Sequence, residues 1–248
     1  MKIAIMQPTF NPWLGYFDLI NSVDVFVFLD NVQLARRSWQ VRNKIKANGQ
    51  ELFITIPIKK TSHRNDLLIK EAIINDFEWV KKALRVIKHN YSKSEYFKEI
   101  YPYIESLLLS NINTVSEFNI NIIKNISDHI GINTNFIKSS SLHDLSGSKD
   151  DLLLAICKNL NATSYISPQG SSAYLIENNS GYKYEKNNIK LYYTDYLHPH
   201  YNQLGKKFIE YLGVFDLLLN NGFKKSLNII KSGHKDNIFY KDFDYENR

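Results

Sequence analysis

The sequence predicts an α/β protein in which a mostly parallel sheet is flanked by helices and carries a β-hairpin and a helical insertion. Short, continuous apolar runs alternate with helix-period stretches along the chain, the pattern of a sheet buried on both faces. Polar clusters follow directly after several of these runs, where ligands collect in open parallel sheets.

The first run, Lys2 to Gln7, is a strand that leads into Pro8-Thr-Phe-Asn-Pro-Trp-Leu-Gly-Tyr16. Pro8, Asn11 and Pro12 have the chemistry of a turn and cap for a helix starting near Pro12. Val25 to Leu29 is a second strand, followed by Asp30, Gln33, Arg36, Arg37, Trp39, Arg42, Asn43 and Lys44. Asn48-Gly49 between β-prone runs marks a hairpin, Lys59 to Asp66 a polar loop, and Leu67 to Ile74 a further short strand. A helical insertion covers about 77–130. Phe77, Val80, Leu84 and Ile87 share one helix face, a second helix runs from about Glu95 to Leu109, and Val115, Phe118, Ile122 and Ile126 line a third. Asn135 to Lys138 is a strand. Leu152 to Leu160 is a helix, with Ser148 as its N-cap and Asp150 and Asp151 in the favoured first turn. Ser164 to Ser167 and Ile189 to Tyr193 complete the strands. The expected organisation is one domain over residues 1–233 and a peripheral tail over 234–248.

A chain of 248 residues is long enough to bury a sizeable core. Its one cysteine, Cys157, lies in an apolar helical stretch, which excludes a disulfide framework and a thiolate metal site. No apolar run reaches the roughly 18 to 20 residues of a membrane span, and Met1 leads directly into a strand, so the expected location is the cytoplasm. The net charge of +6 and pI near 9.1 suit an anionic ligand. The lysines are spread along the chain, which makes the excess a weak signal for nucleic acid.

Four polar segments follow strand-like runs: Gln7–Tyr16, Asp30–Lys44, Ser167–Ser172 and Asp195–Gln203. In a mostly parallel sheet all four meet at one edge. The candidate ligand-binding residues are Gln7, Thr9, Asn11, Trp13, Gln33, Arg37, Trp39, Arg42, Asn43, Lys44, Ser167, Gln169, Gly170, Ser171 and Tyr201. Arg36, Arg37, Arg42, Lys44 and Lys149 suit a diphosphate, arginine above all for its bidentate fork, although Arg36 and Arg37 read equally as a solvated pair. Trp13, Tyr16 and Trp39 suit stacking on a base or sugar ring. His198 and His200 would share a face of a strand, but no cysteine or paired-carboxylate motif completes a ligand set, and no metal site is expected. Neither a Walker A loop nor G-x-G-x-x-G is present.

Met6-Gln-Pro-Thr-Phe-Asn-Pro-Trp-Leu-Gly-Tyr-Phe17, Asp30-Asn-Val-Gln33, Arg37-Ser-Trp-Gln-Val-Arg-Asn-Lys44, His89-Asn-Tyr91, Ser164-Tyr-Ile-Ser-Pro-Gln-Gly-Ser171 and His198-Pro-His-Tyr201 together resemble the WbqC-like family, up to about Asn220. The resemblance implies a bacterial protein of surface-polysaccharide loci, such as those for O-antigen, that make acylated amino sugars. It also implies glycyl transfer to such a sugar. The opening strand and turn are similar to the start of nucleotidyltransferases and of pantothenate synthetase, which implies a nucleotidyltransferase-like sheet and, as cofactor, ATP with Mg. In those proteins a His-x-Gly-His motif follows the turn. Here Trp13 and Tyr16 stand at the histidine positions and Gly15 is kept, so the imidazolium that would stabilise phosphate charge is missing.

The leading expectation is an enzyme that forms an amide on the amino group of a dTDP- or UDP-linked amino sugar. Its donor would be an activated amino acid, such as an adenylate or an aminoacyl-tRNA. The attacking amine must be neutral, and Asp30, His198 and His200 are the candidate bases. Gln7, Asn11 and Tyr16 are placed to orient the sugar or polarise the carbonyl, with Tyr16 grouped among the catalytic candidates. The competing expectation is a non-catalytic nucleotide-sugar binding or assembly protein.

Overall fold

The computed structural model describes residues 1–35, 37–62, 66–171, 175 and 180–244. The strands are β1 (Lys2–Met6), β2 (Val25–Phe28), β3 (Arg42–Ala47), β4 (Gln50–Thr55), β5 (Asn135–Lys138), β6 (Ser164–Ser167), β7 (Lys190–Tyr196) and β8 (His234–Phe239). The helices are α1 (Leu14–Asn21), α2 (Glu78–Tyr91), α3 (Phe97–Leu108), α4 (Val115–Ile130), α5 (Lys149–Asn159), α6 (Ser180–Lys186) and α7 (Val214–Ser232).

Six strands form one sheet in the order β5-β2-β1-β6-β7-β8. The pairs β1–β2, β1–β6, β2–β5 and β6–β7 are parallel, and β7–β8 is antiparallel. Alternation in β1 explains the two layers of core around it. Ala4 packs with Phe26, Phe28 and the apolar faces of α1, α4 and α7, whereas Ile3 and Ile5 face Ile156 and Cys157 of α5 on the opposite side. Both faces of the sheet are therefore covered, which is why its strands are apolar runs.

The hairpin β3–β4 is separate from this sheet. Asn48 (φ 50°) and Gly49 (φ 74°) connect its strands as a two-residue loop with both φ angles positive, the geometry that Asn-Gly adopts most readily.

Local differences from expectation have identifiable causes. Trp13 is the N-cap of α1, and the helix begins at Leu14, two residues beyond Pro12. Residues 67–74 are not a strand: Ile69–Glu71 is a 3₁₀ turn between single bridges at Leu68, Ile73 and Ile74. Ser148 is the N-cap of α5 without a side-chain cap bond, whereas Thr114 caps α4 through the Glu117 N–H. The segment after residue 233 is not peripheral. Its first six residues form β8 against β7, and Phe243 is buried against Tyr193. Long α7 carries a kink at Gly222 (φ 70°), where a Cβ would stand 2.5 Å from the Tyr96 ring.

Candidate functional site

The strand order fixes where a ligand site is to be sought. From β1 the chain steps outward to β2 and β5, then returns to the other side of β1 for β6 and β7. The connections after β1 and β6 consequently diverge, and a crevice opens beyond the carboxyl ends of these two neighbours. A cleft of about 600 Å³ lies there, walled by Gln7 and Thr9 after β1, Pro168 and Gly170 after β6, and Thr194 and Tyr196 of β7. It adjoins two further chambers, of about 390 and 660 Å³. One, through Thr9, Trp13, Tyr16 and Trp39, reaches Asn43, Lys44 and Tyr211; the other, through Gln7, Leu29 and Leu153, reaches Asn31, Gln33, Ser148 and Lys149.

Gln7 borders both the cleft and the chamber that reaches Lys149. Its Oε1 accepts a 2.6 Å hydrogen bond from Gln40 Nε2, and its carbonyl accepts from the Tyr16 hydroxyl at 3.0 Å. Gln40 is itself held by Asn119, whose Nδ2 donates to the carbonyls of Gln40 and Pro8 at 2.7 and 2.9 Å. Its Oε1 is buried and has no donor. Burial pushes the Tyr16 phenol well above its ordinary range, so this group is a neutral donor that holds the Gln7 turn. That is a positioning role.

The aromatic end of the cleft is built by Trp13. Its ring packs nearly parallel to His198 at 6.4 Å, edge-on to Tyr196 at 5.5 Å and tilted against Tyr211 at 5.5 Å. Trp39 is half exposed, with Phe53 6.1 Å away and the Lys44 ammonium 6.0 Å from its ring. Lys44 also pairs with Glu51 at 2.9 Å. At the opposite end Lys149 opens α5 with a positive φ of 50°, next to Gly147 and Ser148. A helix N-terminus and a lysine there favour a negative group.

Several candidates from the sequence have other tasks. Asp30 lies at the same end of the sheet as Gln7, but its buried carboxylate is turned toward the start of a 3₁₀ turn at Ser139–Ser141. Its Oδ1 accepts from Ser139 Oγ (3.0 Å) and the Ser140 N–H (2.9 Å), and its Oδ2 from Ser140 Oγ (2.7 Å). Asn11 (φ 44°) uses Oδ1 to accept the Phe215 N–H at the start of α7, and Asn43 Nδ2 donates to the carbonyls of Phe10 and Asn11. Both fasten the turn after β1 rather than present polar groups to a ligand.

The histidine pair likewise separates. His198 is enclosed by Trp13, Tyr201, Phe208 and Tyr211, and its Nε2 accepts the Tyr211 N–H at 3.3 Å. Burial lowers its pKa to about 4, well below the unperturbed value on which a role as base rested. His200 is exposed and its ring lies 4.1 Å from that of Phe208. Tyr201 is buried and donates to Asp216 at 3.0 Å.

Among the cationic candidates, the Arg42 guanidinium sits 4.5 Å above the Phe53 ring and Arg37 is an exposed residue with a φ of 51°. Neither borders the cleft. Ser167 is buried, Gln169 is half-buried, and Ser171 ends a short 3₁₀ turn begun by Gln169. Arg36 and Ser172 lie outside the described residues.

Gln40, Thr194 and Tyr196 border the cleft and were not among the candidates. Gln40 had a signal, since it lies inside Arg37-Ser-Trp-Gln-Val-Arg-Asn-Lys44. Among the described residues bordering the three chambers there is no Asp, Glu or His. No group of three or more His, Cys, Asp or Glu able to hold a metal ion occurs among the described residues. The described residues bordering these chambers thus do not fit a protein-held Mg ion. No described helix is long and apolar enough to cross a membrane.

Comparison with known proteins bears on the whole of this architecture. Residues 7–227 match the model of the WbqC-like protein family. Uncharacterized protein Rv1507c of Mycobacterium tuberculosis (strain ATCC 25618 / H37Rv) is 31% identical over 223 residues, which cover 89% of this chain and 94% of that protein. No solved structure matches the chain. The chain belongs to the WbqC-like protein family.

Proposed function

We propose that this protein holds a nucleotide-linked amino sugar in the cleft between the ends of β1 and β6 and transfers an aminoacyl group, such as glycyl, to the sugar's amine. The observation that supports the reading is the cleft's division of chemistry along its length. Exposed and half-exposed aromatic rings suit a base or sugar face at one end, Lys149 and the α5 N-terminus suit phosphate at the other, and the Gln7–Gln40 amides lie between them. Amides can bind the hydroxyl and amide groups of a sugar without demanding a charge.

In the proposed step the amine nitrogen forms a bond to the activated carbonyl carbon, and the carbon–oxygen bond to the leaving group breaks. The leaving oxygen takes the electron pair, and the amine proton passes to it or to solvent. The protein's share is orientation, because neither Asp30 nor His198 presents a basic atom to the cleft. An adenylate formed from ATP and an aminoacyl-tRNA are the two donors of suitable chemistry. A second reading, a non-catalytic nucleotide-sugar binding protein of the same pathway, is favoured by the lack of Asp, Glu and His among the described residues bordering the cleft.

One experiment separates the two. Purified protein is incubated with a dTDP- or UDP-linked amino sugar and glycine, with ATP and, in a parallel arm, with glycyl-tRNA, and the nucleotide sugar is followed by mass spectrometry. A mass gain of one glycyl residue in either arm supports the enzyme. Saturable nucleotide-sugar binding with no mass gain in both arms selects the binding protein, and no binding overturns both.

A further inference from the structure

The β3–β4 hairpin, the carboxyl end of α2 and the loop after Tyr201 enclose a second recess of about 330 Å³, which shares no bordering residue with the cleft. Lys46, only 5% exposed, forms part of its wall. Its ammonium donates to Gln203 Oε1 at 3.2 Å and to the carbonyl of Lys207. An ammonium has three N–H donors. The third has no protein acceptor among the described residues.

The carboxylate behind this lysine is already engaged. Asp216 accepts from Tyr91 at 2.7 Å and from Tyr201 at 3.0 Å, and the Tyr91 hydroxyl in turn accepts the Lys46 backbone N–H at 2.8 Å. Burial lowers the Lys46 pKa while Asp216 raises it, so the cation is kept in place by a partner that does not bond it directly. At the mouth stand His89 and Lys93, both exposed, and no Asp or Glu borders the recess among the described residues. Gly49 and Gly205 leave open space where a Cβ would stand, which keeps the mouth wide.

Charges decide what such a recess accepts. The carboxyl end of α2 contributes a partial negative charge of about half a unit, which two lysines outweigh. Lysines on two separate segments, β3 and the turn after α2, with the His89 ring beside them, match a tetrahedral dianion approached from more than one side better than a planar monoanion.

We propose that this recess is a second ligand site that binds a phosphoryl group, with Lys46 as its buried cation and Lys93 and His89 at its mouth. It lies apart from the cleft assigned to the amino sugar, so the two sites can be tested independently.

The test is a titration of the isotope-labelled full chain with inorganic phosphate, followed by backbone amide NMR, with acetate and sodium chloride at matched ionic strength as separate arms. Phosphate should shift the Gly49, Lys93 and Gly205 amides saturably, and Lys93→Ala should weaken that binding roughly tenfold. Lys46→Met should abolish it; should that variant fail to fold, the exposed Lys93→Ala and His89→Ala variants carry the test. Equal response to acetate would make this a carboxylate site and overturn the phosphoryl assignment. Shifts that do not saturate, that survive Lys93→Ala, or that appear only around Gly170 in the cleft would overturn the site itself.

Discussion

Gln40 Nε2 donates to Gln7 Oε1 at 2.6 Å, joining the end of β1 to the segment before β3 at the point where the strand order reverses. Because Gln40 is buried and its own Oε1 has no donor, the pair combines a strong internal bond with an unsatisfied acceptor beside the cleft. Gln40→Leu removes the donor and strands Gln7 Oε1. The expected cost is about 1–3 kcal/mol of stability, together with loss of the ligand-induced rise in Tm. Thermal unfolding with and without a nucleotide sugar measures both, and an undiminished ligand-induced rise would remove the amide pair from the binding role.

Trp39 offers the complementary case, since half of it is exposed and little of the core depends on it. Trp39→Ala is expected to lower nucleotide-sugar affinity by roughly 2- to 10-fold, the range for losing one aromatic stacking partner, while stability changes by less than about 0.5 kcal/mol. Calorimetric titration with UDP- and dTDP-sugars reads the first quantity and urea unfolding the second. Unchanged affinity would place the base or sugar ring away from this end of the cleft.

What the sequence disclosed and what it concealed follow from the range of the interactions involved. Val25–Phe28 was legible because burial on both faces makes the strand continuously apolar, Asn135–Lys138 and Ser164–Ser167 because each keeps a two-residue apolar centre between polar ends, and Asn48-Gly49 because its turn needs two positive φ angles. β8 was not, since His234-Lys-Asp-Asn-Ile-Phe239 is an edge strand, exposed over its first half, and has no apolar run. α7 escaped notice because Asn220-Asn-Gly222 interrupts its pattern, and tertiary contacts around the Gly222 kink carry the chain through. At the site, the position of Gln7 after β1 was readable. The direction of the Asp30 carboxylate was not, because Ser139 and Ser140, which claim it, lie 109 and 110 residues away.

Those serines change what substitution of Asp30 should do. A buried carboxylate with three donors is a tie between β2 and the end of β5, and removing it leaves the Ser140 N–H and hydroxyl without their acceptor, while Ser139 Oγ keeps Asn31 Oδ1 at 2.6 Å. Asp30→Ala is expected to destabilise the fold by roughly 2–4 kcal/mol, with Asp30→Asn milder because one amide oxygen still accepts. Turnover per folded molecule should be nearly unchanged in the Asn variant. A tenfold fall in turnover without loss of stability would restore Asp30 to the chemistry.

His198 should leave its mark on the pH dependence of stability. Burial holds its folded pKa at about 4, below the unfolded value of about 6.5, so the unfolded chain binds the proton first as pH falls. The stability tied to the neutral ring is therefore complete above pH 6.5 and is lost progressively down to pH 4, up to about 3 kcal/mol. Asp216 acts in the opposite direction. Burial raises its pKa to about 6 despite the lowering effect of Tyr91, Tyr201 and Lys46, so its contribution is present below the ordinary carboxylate pKa and is lost as pH rises through 6. The two partly cancel in the native protein, and His198→Phe separates them. The phenyl ring preserves packing against Trp13 and Tyr211 but cannot titrate, and it forfeits the Tyr211 N–H acceptor at every pH. Urea unfolding at pH 7 and pH 4.5 should show the variant less stable than the native chain at pH 7 and closing or reversing that gap at pH 4.5. An equal gap at both pH values would mean that His198 is solvated enough to titrate normally, and would return it to the candidate bases.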